Sequence, residues 1–476
     1  MLKVGAAQMV IDPPLPNDPQ GYVRRTGPAQ NYGDPLLITA VVFEGPGCSA
    51  AILAADLCGQ DSDTADAMRA AVAAVIPVPA ANVLVNASHS HAAPFARVDG
   101  MKLGGGSDLM TEGELAYISR LPHDFASAAL IAWENRRPAR VAGATGNVAG
   151  IAVNRRERTA DGRTILGWNK ELSIDEDTPT IRIDDLHGDP VATITAFGCH
   201  PVVVGPEVAR TGSDFIGPLR RIVEDIRGGT CVFLQGAAGN VLPLEAFHDH
   251  DGPQEPMGRR LGLEAAHAVA DADPLARTVE KLDFGSVTPI SLYRRTIDAN
   301  QNPQLLAVRR RILQLPLLSP PTREDLAEEL KEKEQELTAA SQHGADRSVT
   351  NPIKYHLNWL RAMLDHDDLD GWRSSEGEIW AMRIGDCAIV GTPGEVFSEI
   401  GAEVRARSPF ATTLFAGYCQ GMLGYISTAA EYPFGGYEPS VAQRGYGHPA
   451  PFDPSVERII VETSLELLNE LAEEVK

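Results

Sequence analysis

The sequence predicts an α/β fold: mixed β-sheets flanked by helices, a layered sandwich with one helical insertion. Three observations carry this reading. Short apolar runs alternate with longer helix-like stretches along most of the chain. Several of the runs are joined by tight turn signals that make them antiparallel neighbours. The 476 residues are ample for a sizeable core in one large domain.

The elements follow in order. Residues 37–43 and 50–55 read as strands paired around Gly45-Pro46-Gly47. Residues 61–76 read as a helix carrying Ala67, Ala70, Ala71 and Ala74. The buried strand 83–86 leads into Asn86-Ala87-Ser88-His89-Ser90-His91. Strands 180–183 and 191–196 flank Asp185-Leu186-His187-Gly188-Asp189-Pro190, a hairpin turn. Strand 231–234 ends at Gln235-Gly236-Ala237-Ala238-Gly239, and 381–384 with 388–390 form another hairpin through Gly385-Asp386. Glu395 opens a helix running to Arg405.

Between about residues 300 and 370 the strand pattern disappears. Thr322-Arg323-Glu324-Asp325, after Pro320-Pro321, is a capping-box-like start to a highly charged helix with the narrow stripe Leu326, Leu330, Leu337. The preferred reading is a solvated helical hairpin packed on residues 351–365. A contact forming a homodimer is the second reading, and a lid over a site the third.

Composition excludes several partners. Lys+Arg number 42 and Asp+Glu 64, a formal charge of −22 that repels nucleic acid and anionic membrane surfaces. The N-terminus lacks the long apolar segment of a secretory signal, and no run of about eighteen apolar residues could span a bilayer. Cys48, Cys58, Cys199, Cys231, Cys387 and Cys419 are widely spaced in apolar runs, with no Cys-x-x-Cys pair. They read as buried free thiols of a reducing compartment, so the expectation is a cytoplasmic protein.

Four segments carry the chemistry. His89-Ser90-His91 places two imidazoles at i and i+2, which on an extended chain point to one side. By itself the tripeptide favours two ordinary polar residues at a strand end. His200, in Gly198-Cys199-His200-Pro201, also follows an apolar strand. In α/β proteins sites assemble at that edge. Glu395 follows the strand ending in Thr392-Pro393-Gly394, and ordinary helix-dipole complementation explains it equally well. Tyr425 and Tyr437 lie in glycine-rich loops, where tyrosines pack, ligate, or donate to an oxyanion.

Together with these, Asn154-Arg155, Ser213-Asp214-Phe215-Ile216-Gly217 and Gln235-Gly236-Ala237-Ala238-Gly239-Asn240-Val241 complete a set of runs. In these runs and their order, spread over nearly the whole chain, the sequence resembles the N-terminal catalytic domain of the neutral/alkaline (non-lysosomal) ceramidases. That family hydrolyses the amide of ceramide with one zinc ion. The resemblance implies one ceramidase-like catalytic domain over residues 1–476, without the family's C-terminal β-domain. It implies Zn2+ held by His89, His200, Glu395 and Tyr425, with His91, Arg155 and Tyr437 as catalytic, substrate-facing residues. Zinc with such ligands lowers the pKa of its water and polarises a carbonyl. Arg155 and Tyr437 could donate to the tetrahedral intermediate, and His91 could shuttle a proton to the leaving amine. Asp214 reads as a carboxylate orienting a ligand histidine, or equally as a helix N-cap.

The departures shape the expected function. Leu242 stands where the family carries a functional Ser, and Asn240 where it has Asp. A mechanism needing that hydroxyl is excluded, whereas attack by metal-bound water survives. The expectation is a zinc-dependent amidohydrolase acting on a small-molecule or lipid-like amide, smaller or more polar than ceramide. An ester or lactone would suit the same site, and a non-catalytic zinc- or ligand-binding relative is the alternative of a different class.

Other groups are weaker. His248-Asp249-His250-Asp251 has ligand residue types but lies in a Pro/Gly-rich loop, solvated or bordering the pocket. Gly104-Gly105-Gly106-Ser107 follows no strand, so it is a poor phosphate cradle. No Gly-x-Ser-x-Gly elbow occurs.

Overall fold

The computed structural model describes residues 1–97, 110–275, 277–283, 288–297 and 304–474. Its centre is an eight-stranded sheet. In spatial order the strands are Thr230–Gln235, Pro190–Phe197, Asp177–Asp185, Arg137–Asn147, Lys3–Val10, Leu37–Gly45, Cys48–Ala55 and Val83–Ala87. The inner pairs are antiparallel, and the pair at each edge is parallel. A second sheet runs Leu306–Pro316, Ser374–Ile384, Cys387–Gly391, Thr412–Ala416, and its last pair is also parallel.

Helices cover both outer faces. α1 (Ser62–Val75) and α2 (Glu112–Glu134) lie over one half of the large sheet, α3 (Ile216–Arg227) and α4 (Gln254–Ala268) over the other. α5 (Arg323–Gln342) and α6 (Arg347–Asp365) pack on each other. α7 (Ser398–Arg407) and α9 (Val456–Glu473) cover the small sheet, and the single turn α8 (Tyr437–Ser440) precedes α9. The order is helix, sheet, sheet, helix, so the expected α/β layered sandwich is what forms.

Strand alternation explains the layering. Along Leu37–Gly45, Ile38, Ala40 and Val42 face α1 and α2, while Val41 and Phe43 face the second sheet. Between the sheets, Phe43, Ile52, Ile181 and Ile194 pack with Trp380, Met382, Ile389 and Leu414. Each such fully buried side chain contributes on the order of 2 kcal/mol of transfer free energy.

Parallel pairs need crossovers, and these place the site. α1 links the strands at one edge of the large sheet, α3 those at the other, and α7 the parallel pair of the small sheet. The loops that follow these parallel strands carry His89, His200, Glu395, Tyr418 and Tyr425. Asn86 ties the edges together: its amide donates to Gly417 O at 2.7 Å and its oxygen accepts from Gln235 N at 3.1 Å.

Three local expectations need correction. The stretch from 300 to 370 is not purely helical, because Leu306–Pro316 is an edge strand paired along its length with Ser374–Ile384. Arg309, Arg310 and Arg311 hide its alternation, and the two helices begin only at Arg323. Glu395 does not open a helix. Glu395–Val396 pairs in parallel with Tyr425–Ile426, and α7 starts at Ser398. His89 is not extended either: its φ is +64°. The Gly104 run lies outside the described residues. Cys48 is half-buried and the other five cysteines are buried free thiols. Among the described residues no helix is long and apolar enough to cross a membrane.

Candidate metal centre

Three side chains from three loops converge. The ligand atoms of His89, His200 and Glu395 all lie within 4.8 Å of one another, and all three residues are buried. Glu395 Oε2 is 3.4 Å from His89 Nε2 and 3.0 Å from His200 Nε2.

The outer ring nitrogens explain the orientation. His89 Nδ1 is 2.6 Å from the carbonyl of Cys58, and His200 Nδ1 is 2.8 Å from that of Ala238. A carbonyl only accepts, so each Nδ1 carries the proton. In a neutral ring, Nε2 then presents a lone pair. Burial lowers the pKa of His89, and lowers that of His200 to about 4, which keeps both rings neutral. Burial opposes ionisation of Glu395, but its polar surroundings, among them the hydrogen bond donated by Tyr446, hold its pKa down. Two lone pairs thus face a carboxylate with no proton between them. A cation resolves that arrangement, and two imidazoles with one carboxylate are a zinc donor set.

The carboxylate is held by phenols that sequence reasoning missed. Tyr446 donates to Glu395 Oε1, and Tyr418 donates to Oε2 at 3.3 Å. Tyr418 has φ +57° and, like His89, sits where L-residues are strained by on the order of 1 kcal/mol. Gly394, at φ +83°, turns the chain into Glu395 against the carbonyl of Gly424, a contact that no Cβ could enter. The glycine-flanked setting of Tyr446 resembles that of Tyr425 and was the available signal.

The remaining predicted residues surround this cluster. His91 Nε2 is 3.1 Å from His89 Nε2, so the His-x-His pair converges through a turn instead of along a strand. Burial, reinforced by the Arg155 charge, keeps His91 neutral. Its Nδ1 has no hydrogen-bond partner among the described residues. Arg155 Nη1 lies 3.1 Å from His200 Nε2, and its Nε donates to Glu438 Oε1 at 2.7 Å. Its Nη2 is buried without a partner among the described residues. Burial opposes the Arg155 charge, but Tyr425, Glu438 and Glu395 outweigh it. Tyr425 Oη is 3.4 Å from His200 Nε2. Tyr437 packs its ring 5.5 Å from that of Tyr425 and is 40% exposed.

Second contacts depart from expectation. Asp214 touches neither histidine. Its carboxylate accepts from the backbone of Val204 at 3.0 Å and Phe215 at 2.7 Å, bracing the loop after His200. Leu242 is buried on a short strand beside Val153. Asn240 accepts from Ser398 N and donates to Glu399 Oε2 at 2.8 Å, a bond that requires the amide. The His248 loop borders the site indirectly: Phe247 packs on Tyr22, whose ring meets His91 edge-on at 4.8 Å.

The chain has a neutral-ceramidase-like fold. It matches a structure described as neutral ceramidase from Pseudomonas aeruginosa with a TM-score of 0.68 and 16% identity, over 99% of this chain and 75% of that chain. It also matches a ceramidase complexed with C2, with a TM-score of 0.69 and 14% identity over the same shares. No protein-family model matches the sequence, and neither does any curated protein.

Proposed function

We propose that this chain is a zinc-dependent hydrolase that cleaves an amide C–N bond with a water activated at the metal. The observation carrying the proposal is the meeting of His89 Nε2, His200 Nε2 and a Glu395 carboxylate oxygen within 4.8 Å of one another in a buried cluster. His89, His200 and Glu395 would hold the ion, with the Tyr425 phenol as its fourth neighbour. When bound, zinc supplies Lewis acidity and makes water nucleophilic near neutral pH.

The chain's own residues do the rest. His91, held neutral, accepts the proton released by the attacking water at Nε2 and returns it to the leaving nitrogen. Arg155 offers Nη2 to the developing oxyanion, and Glu438 fixes its plane. The Tyr437 phenol, with an ordinary pKa of about 10, stays protonated at neutral pH and donates to the substrate.

The neighbourhood of Tyr437 bears on substrate polarity. Phe434, 54% exposed, flanks Gly435-Gly436 beside Tyr437, and Leu166 is exposed two residues from Thr164, which hydrogen-bonds to Phe434 O. An exposed aromatic side chain three residues from Tyr437 suits an amide with an apolar substituent better than a wholly polar one. The test is metal analysis of wild type and His89→Ala, followed by an amide screen with ceramide as the reference. About one zinc per chain, lost in the variant, is expected; no stoichiometric metal in protein kept from chelators would overturn the proposal.

A further inference from the structure

Between α4 and the strand Leu306–Pro316 a hairpin projects: Arg277–Leu282 pairs antiparallel with Leu292–Ile297. Val279 and Tyr293 share one face with Lys281 and Arg295, and each of the two is 64% exposed. Leu292, on the other face, is exposed as well. A lone two-stranded hairpin is marginal in water, and its apolar side chains stabilise it only when something covers them.

Its charge indicates what covers it. Arg277, Lys281, Arg294 and Arg295 outnumber Glu280 and Asp283, on a chain whose formal net charge is −22. The arm is a basic, apolar element attached to an acidic protein. Its own body leaves Val279 and Tyr293 exposed, but a second copy presents the same acidic surface, including the exposed α5 residues Glu324, Glu328 and Glu332. A nucleic acid would meet the charge of the arm but be repelled by the rest of the chain.

We propose that this arm clasps a second copy of the chain: Val279 and Tyr293 seat on the partner, and Lys281 and Arg295 pair with its acidic surface. Two arms exchanged about a two-fold axis make an isologous contact, in which both arms contribute toward the roughly 800 Å² per partner of a standard interface. Apolar burial supplies affinity, and charge supplies orientation and salt dependence.

Sedimentation velocity on the full chain tests this at low and high salt. Wild type is compared with the doubly substituted Lys281→Glu/Arg295→Glu and Val279→Ser/Tyr293→Ser chains. The expected result is a wild-type dimer that weakens in high salt, and at least tenfold weaker association in both variants. Circular dichroism and metal content should stay at wild-type values, since the arm contributes nothing to the metal centre. A wild type that is monomeric at every concentration and salt, or a dimer that survives both substitutions, overturns the proposal. So does a monomer retained on heparin, which would make the arm a polyanion site.

Discussion

The phenol of Tyr446 donates to Glu395 Oε1, and that bond leaves Oε2 as the oxygen facing His89 and His200. The carboxylate is thus aimed before any ion binds. Orienting contacts of this kind are worth about 10- to 100-fold in metal affinity. Tyr446→Phe is expected to keep the fold and weaken zinc by that factor, read by competition with a chromophoric chelator. Unchanged affinity would show the bond to be incidental.

Arg155→Lys keeps the charge but loses the fork that binds Glu438 and leaves Nη2 free. Metal content should be unchanged, while kcat falls about 10²-fold and KM moves little. Steady-state kinetics on the amide found by the screen checks this; a change confined to KM would assign Arg155 to substrate binding instead.

Asn240→Asp should destabilise the chain at neutral pH, because it replaces the amide that donates to Glu399 with a second carboxylate at 2.8 Å. Burial already raises the pKa of Glu399. The cost is about 1–3 kcal/mol, from a lost donor and like-charge repulsion. It should shrink as the pH falls and one carboxyl takes a proton. Urea unfolding at two pH values would show it, and a pH-independent cost would point to packing alone.

Burial raises the pKa of Asp214 to about 6, against the backbone bonds of Val204 and Phe215. The folded state therefore holds this proton more tightly than the unfolded chain. Asp214 favours folding most below its ordinary value of 3.8, and that contribution is lost as the pH rises through 6. The span is on the order of 3 kcal/mol. Asp214→Asn should remove this component, so the wild-type-minus-variant stability must decline between pH 4 and pH 7. A flat difference would contradict the assignment.

Trp380 is fully buried between the two sheets and donates its indole N–H to Ala81 O at 3.2 Å. Trp380→Ala should cost about 3–5 kcal/mol through the cavity it leaves. Thermal unfolding reads this directly, and a cost below about 1 kcal/mol would mean that the sheets repack.

The sequence by itself determined several of the central strands, because a strand buried on both faces writes a short continuous apolar run into the chain. The hairpins around Gly45-Pro46-Gly47, Asp185–Pro190 and Gly385-Asp386 were legible for that reason, and so were His89, His200 and Glu395 at strand ends. The strand Leu306–Pro316 was not, since an edge strand with solvated arginines carries no such pattern. Only the tertiary structure decided the rest of the site. Loops behind parallel strands at opposite edges of one sheet, and in a second sheet, come together through Asn86. The contacts of Tyr446, Tyr418 and Glu438 join residues far apart in the chain, and no local period encodes them. His89 likewise faces His91 through a positive-φ turn, a conformation set by its packing and not by the preference of histidine.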